Sequence, residues 1–342
     1  MSIKIKKDRI EFTANGSSTF TLTETSDGFS FDGQIQATNV FQNGFQGTVA
    51  GFTSGYWTGS TNNTIDKFPF AADSNAVDHG DLSILIGYAT GQSSSTHGYH
   101  STGYTPSPAA DYNTIQKFIF VTNSNSTDVG DATVARSGSA AGQSSSINGY
   151  VSGGYISSPA GTSNVIDKFP FATDSNATDV GDLTQSRYGA KGQSSDTSGY
   201  VAGGSTTPPL TAVNTIDKFP FATDANATDV GDITVARQFP IGHSSRTHGY
   251  GSGGVTTPPQ SAYNTIDKFS FSTDGNATDV GDLTQARFDG AGQSSTAFGY
   301  NTGGFTGAFA NTIDKFPFSA DSNATDVGDL TVGRVYGAGQ QD

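Results

Sequence analysis

The chain has 342 residues, a net charge of -14 and no cysteine, with 44 Gly, 24 Phe and 13 Tyr but only 14% charged residues. This excludes disulfide staples, zinc-thiolate centres and a cysteine nucleophile, and the acidity argues against nucleic acid, which needs a basic face. No run of about 18 apolar residues is present, so membrane insertion is not expected, and the start MSIKIKKDRIEF lacks the apolar core of an export signal.

Residues 1–42 come first. Ser2 to Lys6, the stretch through Phe12, Phe20 to Leu22 and Phe29 to Phe31 alternate apolar and polar side chains, with Asn15-Gly16 and Asp32-Gly33 as turns. This β segment is too small to bury a core unaided, so it is expected to anchor the chain on a partner or on its own copies. It carries a net charge of -1, which leaves -13 on the remainder.

From residue 43 onward one unit recurs. Asn63-Thr-Ile-Asp-Lys-Phe-Pro-Phe70 returns at 113, 164, 214, 264 and 311, a pitch of about 50 residues. In the third copy, Ala140 to Ser145, Gly149 to Gly154, Asn164 to Phe171 and Thr178 to Thr184 are each strand-length and are separated by Gly, Pro, Asn or Asp. Four short strands per copy describe a propeller blade, with the small-residue strand innermost and the aromatic one between neighbouring blades. Pro69, Pro170, Pro220 and Pro317 then belong at a strand end or a bulge. The first copy lacks an innermost strand, and residues 334–341 repeat that strand with nothing after it. The expected architecture is all-β: a six-bladed propeller over 43–342, closed by pairing 334–341 with 50–59, preceded by the separate segment 1–42.

The double glycine that ends the second strand, followed by a third strand and a hairpin into a fourth, resembles the kelch propeller repeat over residues 51–342. The tryptophan of kelch fourth strands is absent, and pairing of Arg136, Arg187, Arg237, Arg287 and Arg334 with repeated Asp is the expected substitute. Gly47-Thr-Val-Ala-Gly-Phe-Thr-Ser-Gly55, with the entry segment before it and the tandem NTIDKFPF units after it, is similar to virion structural proteins of marine tailed phages of the cyanophage kind. That resemblance implies a virion component made in the host cytoplasm, with other virion proteins or copies of itself as partners.

The hairpin Asp174-x-Asn176-x-Thr178-Asp179-x-Gly181-Asp182 and its equivalent Asp224, Asn226, Asp229 and Asp232 concentrate oxygen ligands suited to calcium, set against a solvated hairpin cap. No other cofactor is expected. Every Ser or Asp that could serve a catalytic triad is duplicated, and the two glutamates, Glu11 and Glu24, precede the repeats, so no enzyme is expected. The copper chemistry of one kelch enzyme family needs a cysteine that this chain lacks. An alternative, a lectin or enzyme using the central channel, would rest on Lys191 or His243. A further alternative is a self-assembling filament or scaffold.

The copies diverge in the loops joining strands two to three and four to one, which share a rim. Trp57, Tyr104, Tyr112, Tyr155, Tyr188, Phe239, Tyr263, Phe288 and Phe305 lie there among Ser, Thr and Pro. Such a variable aromatic face suits a cell-surface glycan or a protein partner, against the alternative of drift in unconstrained loops.

Overall fold

The structure is a computed structural model that describes the backbone of residues 2–5, 9–14, 18–25 and 28–31 and all of residues 46–342 except 139 and 257–259. It divides into two compact units, Met1–Gln42 and Asn43–Asp342. The first contains an antiparallel meander of Ser2–Ile5, Arg9–Ala14, Ser18–Thr25 and Gly28–Phe31.

The second unit is the six-bladed all-β propeller that the repeat number predicts, each blade a four-stranded antiparallel sheet. Blade 3 typifies the rest, with strands Ala141–Ser144, Asn148–Ser152, Val165–Pro170 and Thr178–Asp182 in spatial order. The prolines end the third strands, where no ladder donor is required. In blade 1 the innermost strand is Ala338–Gln341, in register from Ala338 opposite Ser54 to Gln341 opposite Gly51. It is shorter than the expected 334–341, because residues 334–337 turn across the rim and only Val335 reaches Trp57, as an isolated bridge.

The repeats stay alike because each copy must fit the next. At every seam an aromatic of one blade's second strand stacks on the Phe that follows the third strand of the next blade, as in Tyr150 on Phe221 at 4.8 Å and Tyr300 on Phe70 at 4.8 Å. The innermost strands carry Gln, whose amide donates to the next blade's carbonyl, as Gln143 does to Tyr200 and Gln340 to Tyr99. The expected arginines also reach across: Arg136–Asp167, Arg187–Asp217, Arg237–Asp267, Arg287–Asp314 and Arg334–Asp66 pair at 2.6–3.0 Å with side chains at most 1% exposed.

One seam differs. Between blades 1 and 2, Ile86 stands in place of Arg, Gln116 in place of Asp, and Asn123 in place of the hairpin Asp. Gln116 Oε1 accepts from Ser83, Ile84 and Ser126, so the amide takes over the bonds of the absent carboxylate. His100 is fully buried at this seam with Nδ1 3.0 Å from Ser54 Oγ.

Burial lowers His100 to a pKa of about 3 and His243, which stands where five copies have Gln, to about 4. The folded-state values lie below the unfolded value of about 6.5, so below that pH the unfolded chain takes up protons that the native chain cannot. Stability should therefore fall by about 1.4 kcal/mol per pH unit for each histidine as pH drops from about 6.5 towards these values. Urea melts at pH 7 and pH 4.5 should show the loss, and His243→Gln should make it smaller; an unchanged pH slope in that variant would refute the assignment.

Candidate ligand-binding face

The loops joining strands two to three and four to one do share a rim, tied by backbone bridges such as Ser137 with Tyr155 and Tyr188 with Ser205. In each four-to-one turn the residue two after the seam Arg, or after Ile86, adopts a left-handed backbone. In ring order these are Tyr88, Gly138, Gly189, Phe239, Asp289 and Tyr336, with φ between 55° and 68°. The turn is repeated because its amides form a belt around the axis. Gly189 donates to Gly138, Phe239 to Gly189, Asp289 to Phe239, Tyr336 to Asp289 and Tyr88 to Tyr336. Only glycine adopts this conformation without the clash of a Cβ, which costs roughly 1–2 kcal/mol per residue. Four positions nevertheless carry side chains.

Beside the two glycine turns the neighbouring rings close in, Tyr155 and Tyr188 on Gly138 and Phe239 on Gly189, and a cavity opens along these rings. It has a volume of 480 Å³ and runs from Tyr88 to Phe239 past Gly138, with Tyr104, Tyr155 and Tyr188 in its wall and Ser137, Ser157, Thr207 and Leu210 between them. The rings support one another: Tyr88 stacks on Tyr336 at 3.6 Å and meets Tyr104 edge-on at 6.0 Å, and Tyr188 meets Phe239 edge-on at 5.8 Å. Asp111 of blade 2 holds Ser157 of blade 3 through both its amide, at 2.6 Å, and its hydroxyl, at 2.9 Å. Burial raises the pKa of Tyr88 and Tyr188, so both hydroxyls remain protonated at neutral pH.

Of the nine expected aromatics, Tyr104, Tyr155, Tyr188 and Phe239 meet at this cavity. Phe288 and Phe305 form another cluster with Phe309. Tyr263 lies 5.9 Å from the Arg237 guanidinium, Tyr112 is half-buried at the start of its long third strand, and Trp57 bridges Val335. Sequence reasoning missed Tyr88. Its signal was present in the four-to-one turns, where aligning the copies sets Gly138 and Gly189 against Tyr88, Phe239 and Tyr336.

The acidic hairpins are clasps between blades. Asp174 pairs with Lys117 and Asp224 with Lys168, while Asn176 and Asn226 accept the backbone amides of Asp131 and Asp182. Asp179 and Asp229 accept the amides of Gly181 and Gly231 in their own strands, and Asp232 donates its amide to Asn276. The oxygens whose close spacing suggested calcium are thus engaged by partners on two blades, and no group of three or more His, Asp or Glu among the described residues is placed to hold a metal. The hairpin carboxylates Asp174 and Asp224 are exposed, as a solvated cap would be, and the neighbour contacts add to that reading.

The central channel is narrow. A Cβ on Gly192 would lie 2.0 Å from the Gly142 oxygen, and one on Gly339 would lie 2.1 Å from that of Gly292. The two axial spaces, 50 and 60 Å³, are far below the roughly 300 Å³ of a small ligand site. Lys191 lines the first; burial lowers its pKa and the nearby Asp289 partly offsets this. His243 lines the second and bonds Ser252 and the Gln293 carbonyl.

No known protein-family model matches the chain, and no curated protein does. Among solved structures it is similar to YjhT, with a TM-score of 0.61 at 13% identity, covering 77% of this chain and 93% of that one. At that identity the likeness shows the propeller fold alone.

Proposed function

We propose that the chain is a non-catalytic recognition protein that binds its target through the aromatic cavity of the variable rim. The observation that carries this reading is the convergence of five aromatic side chains from five separate turns and loops around one 480 Å³ opening, while the axial spaces lined by described residues measure only 50 and 60 Å³. A cavity of this size and lining is typical of sites for small ligands or for a protruding group of a larger one.

The kelch-like repeat and the resemblance to cyanophage virion proteins add a setting. In this reading the propeller is displayed on a capsid, tail or fibre, its N-terminal sheet anchors it to other virion proteins or to its own copies, and the rim meets a host-surface glycan or a neighbouring virion protein. The test is adsorption of the purified protein to cyanobacterial cells, alongside mass spectrometry of purified particles. Tyr104→Ala with Tyr155→Ala should abolish adsorption without lowering the melting temperature. Unchanged adsorption would overturn the recognition site, and absence of the chain from particles would overturn the virion setting.

A further inference from the structure

We infer that the rim cavity takes an uncharged saccharide and rejects acidic ones. This rests on the recognition reading above and adds the chemistry of the ligand. Among the described residues, the wall of the cavity contains no charged side chain. A carboxylated or sulfated sugar would need a cation there, because an anion removed from water without a partner is strongly disfavoured. The cation nearest the axis, Lys191, has Asp289 as its neighbour and is not spare. The surrounding unit, with its net charge of -13, repels anions as well.

What the wall offers instead is a mixture of ring faces and hydroxyls. Tyr155 and Tyr188 lie tilted to one another at 5.7 Å, with Ser157 and Thr207 beside them. A pyranose has matching surfaces, a C–H face for an aromatic ring and hydroxyls that both donate and accept, as Ser, Thr and Tyr hydroxyls do. A cation finds a poorer site, because the face of Tyr88 is covered by Tyr336 at 3.6 Å and other rings meet edge to face.

The backbone supplies an independent argument. Tyr88 and Phe239, which bracket the cavity, keep left-handed conformations at φ 59° and 55° although glycine serves at the two turns between them. Strain of this kind persists where the surroundings enforce it and clusters at ligand sites. Two aromatic side chains are held at a cost on either side of two glycine turns, against which Tyr155, Tyr188 and Phe239 pack closely to form the cavity wall.

The test is an array of neutral oligosaccharides with sialylated, sulfated, uronic-acid and amino-sugar counterparts, probed with the intact chain and followed by titration of the hits. Neutral sugars should bind. Tyr155→Ala and Gly138→Leu, whose Cβ would lie 2.8 Å from the Tyr155 Cβ and displace that ring, should each weaken binding by about tenfold or more, and Phe309→Ala, in the other aromatic cluster, should not. If Gly138→Leu fails to fold, Tyr155→Ala in the half-exposed wall decides. Preference for acidic or amino sugars would overturn the inference while leaving a recognition site. Failure on every saccharide, with cell adsorption still lost in the Tyr104/Tyr155 variant, would overturn the saccharide and leave a protein target; failure of both overturns both.

Discussion

Arg136→Ile should destabilise the propeller by about 3–5 kcal/mol, and adding Asp167→Gln should restore most of that loss. The single substitution strands a carboxylate that is fully buried and bonded to Arg136 Nη2 at 2.7 Å, leaving it only the Thr133 amide and hydroxyl. Removing both charges gives a seam like the one between blades 1 and 2, where Ile86 and Gln116 hold these positions and Gln116 Oε1 accepts from Ser83, Ile84 and Ser126, except that Ala177 stands where Ser126 does. The residual deficit comes from the Val151 carbonyl, which loses its 2.9 Å bond to the guanidinium. Urea denaturation of the two single variants and the double variant measures the coupling. A double variant as unstable as Arg136→Ile would show that the pair contributes more than mutual neutralisation.

Deleting residues 338–342 should remove the cooperative unfolding transition, a loss comparable with the roughly 5–15 kcal/mol stability of an ordinary domain. The deletion takes away the innermost strand of blade 1 and exposes the edge of Ala50–Trp57. It also removes Gln340, which bonds Ser54 and the Tyr99 carbonyl of blade 2, and the Asp342 carbonyl that accepts the amides of Thr48, Val49 and Ala50. Calorimetry with light scattering checks this. Joining the same strand in front of residue 46 should restore the transition, and a sharp unaltered melt in the truncated chain would refute the role given to closure.

The blades were legible in the sequence because their signals are local: strand-length runs, Gly and Asp at the turns, and the octapeptide that dates each copy. The aromatic and arginine seams were partly legible, since a residue repeated five or six times in a low-charge chain needs a repeated partner. The partner's address was not. Asp174 and Asn176 sit close together in sequence, but they engage Lys117 and Asp131 on another blade. Spacing within a repeat cannot distinguish ligands that converge from ligands that face a neighbour. The candidate site shows the same division. Aromatics on the variable loops could be named, but which of them meet depends on the left-handed turns and on the close packing of Tyr155, Tyr188 and Phe239 against Gly138 and Gly189, with Phe288 and Phe305 clustered elsewhere.

The seam between blades 6 and 1 is built from the same parts as the ordinary ones, Arg334 with Asp66, Lys315 with Asp73 and Tyr300 with Phe70. The circle therefore keeps no chemical memory of where the polypeptide enters and leaves. Its landmark is the uncharged seam of Ile86, Gln116 and Asn123, and the cavity opens from the very turn that follows Ile86. Six near-identical wedges would present any partner with six equivalent ways to sit. One altered joint, with a pocket beside it, breaks that pseudo-symmetry and gives the disc a clock face with a single noon.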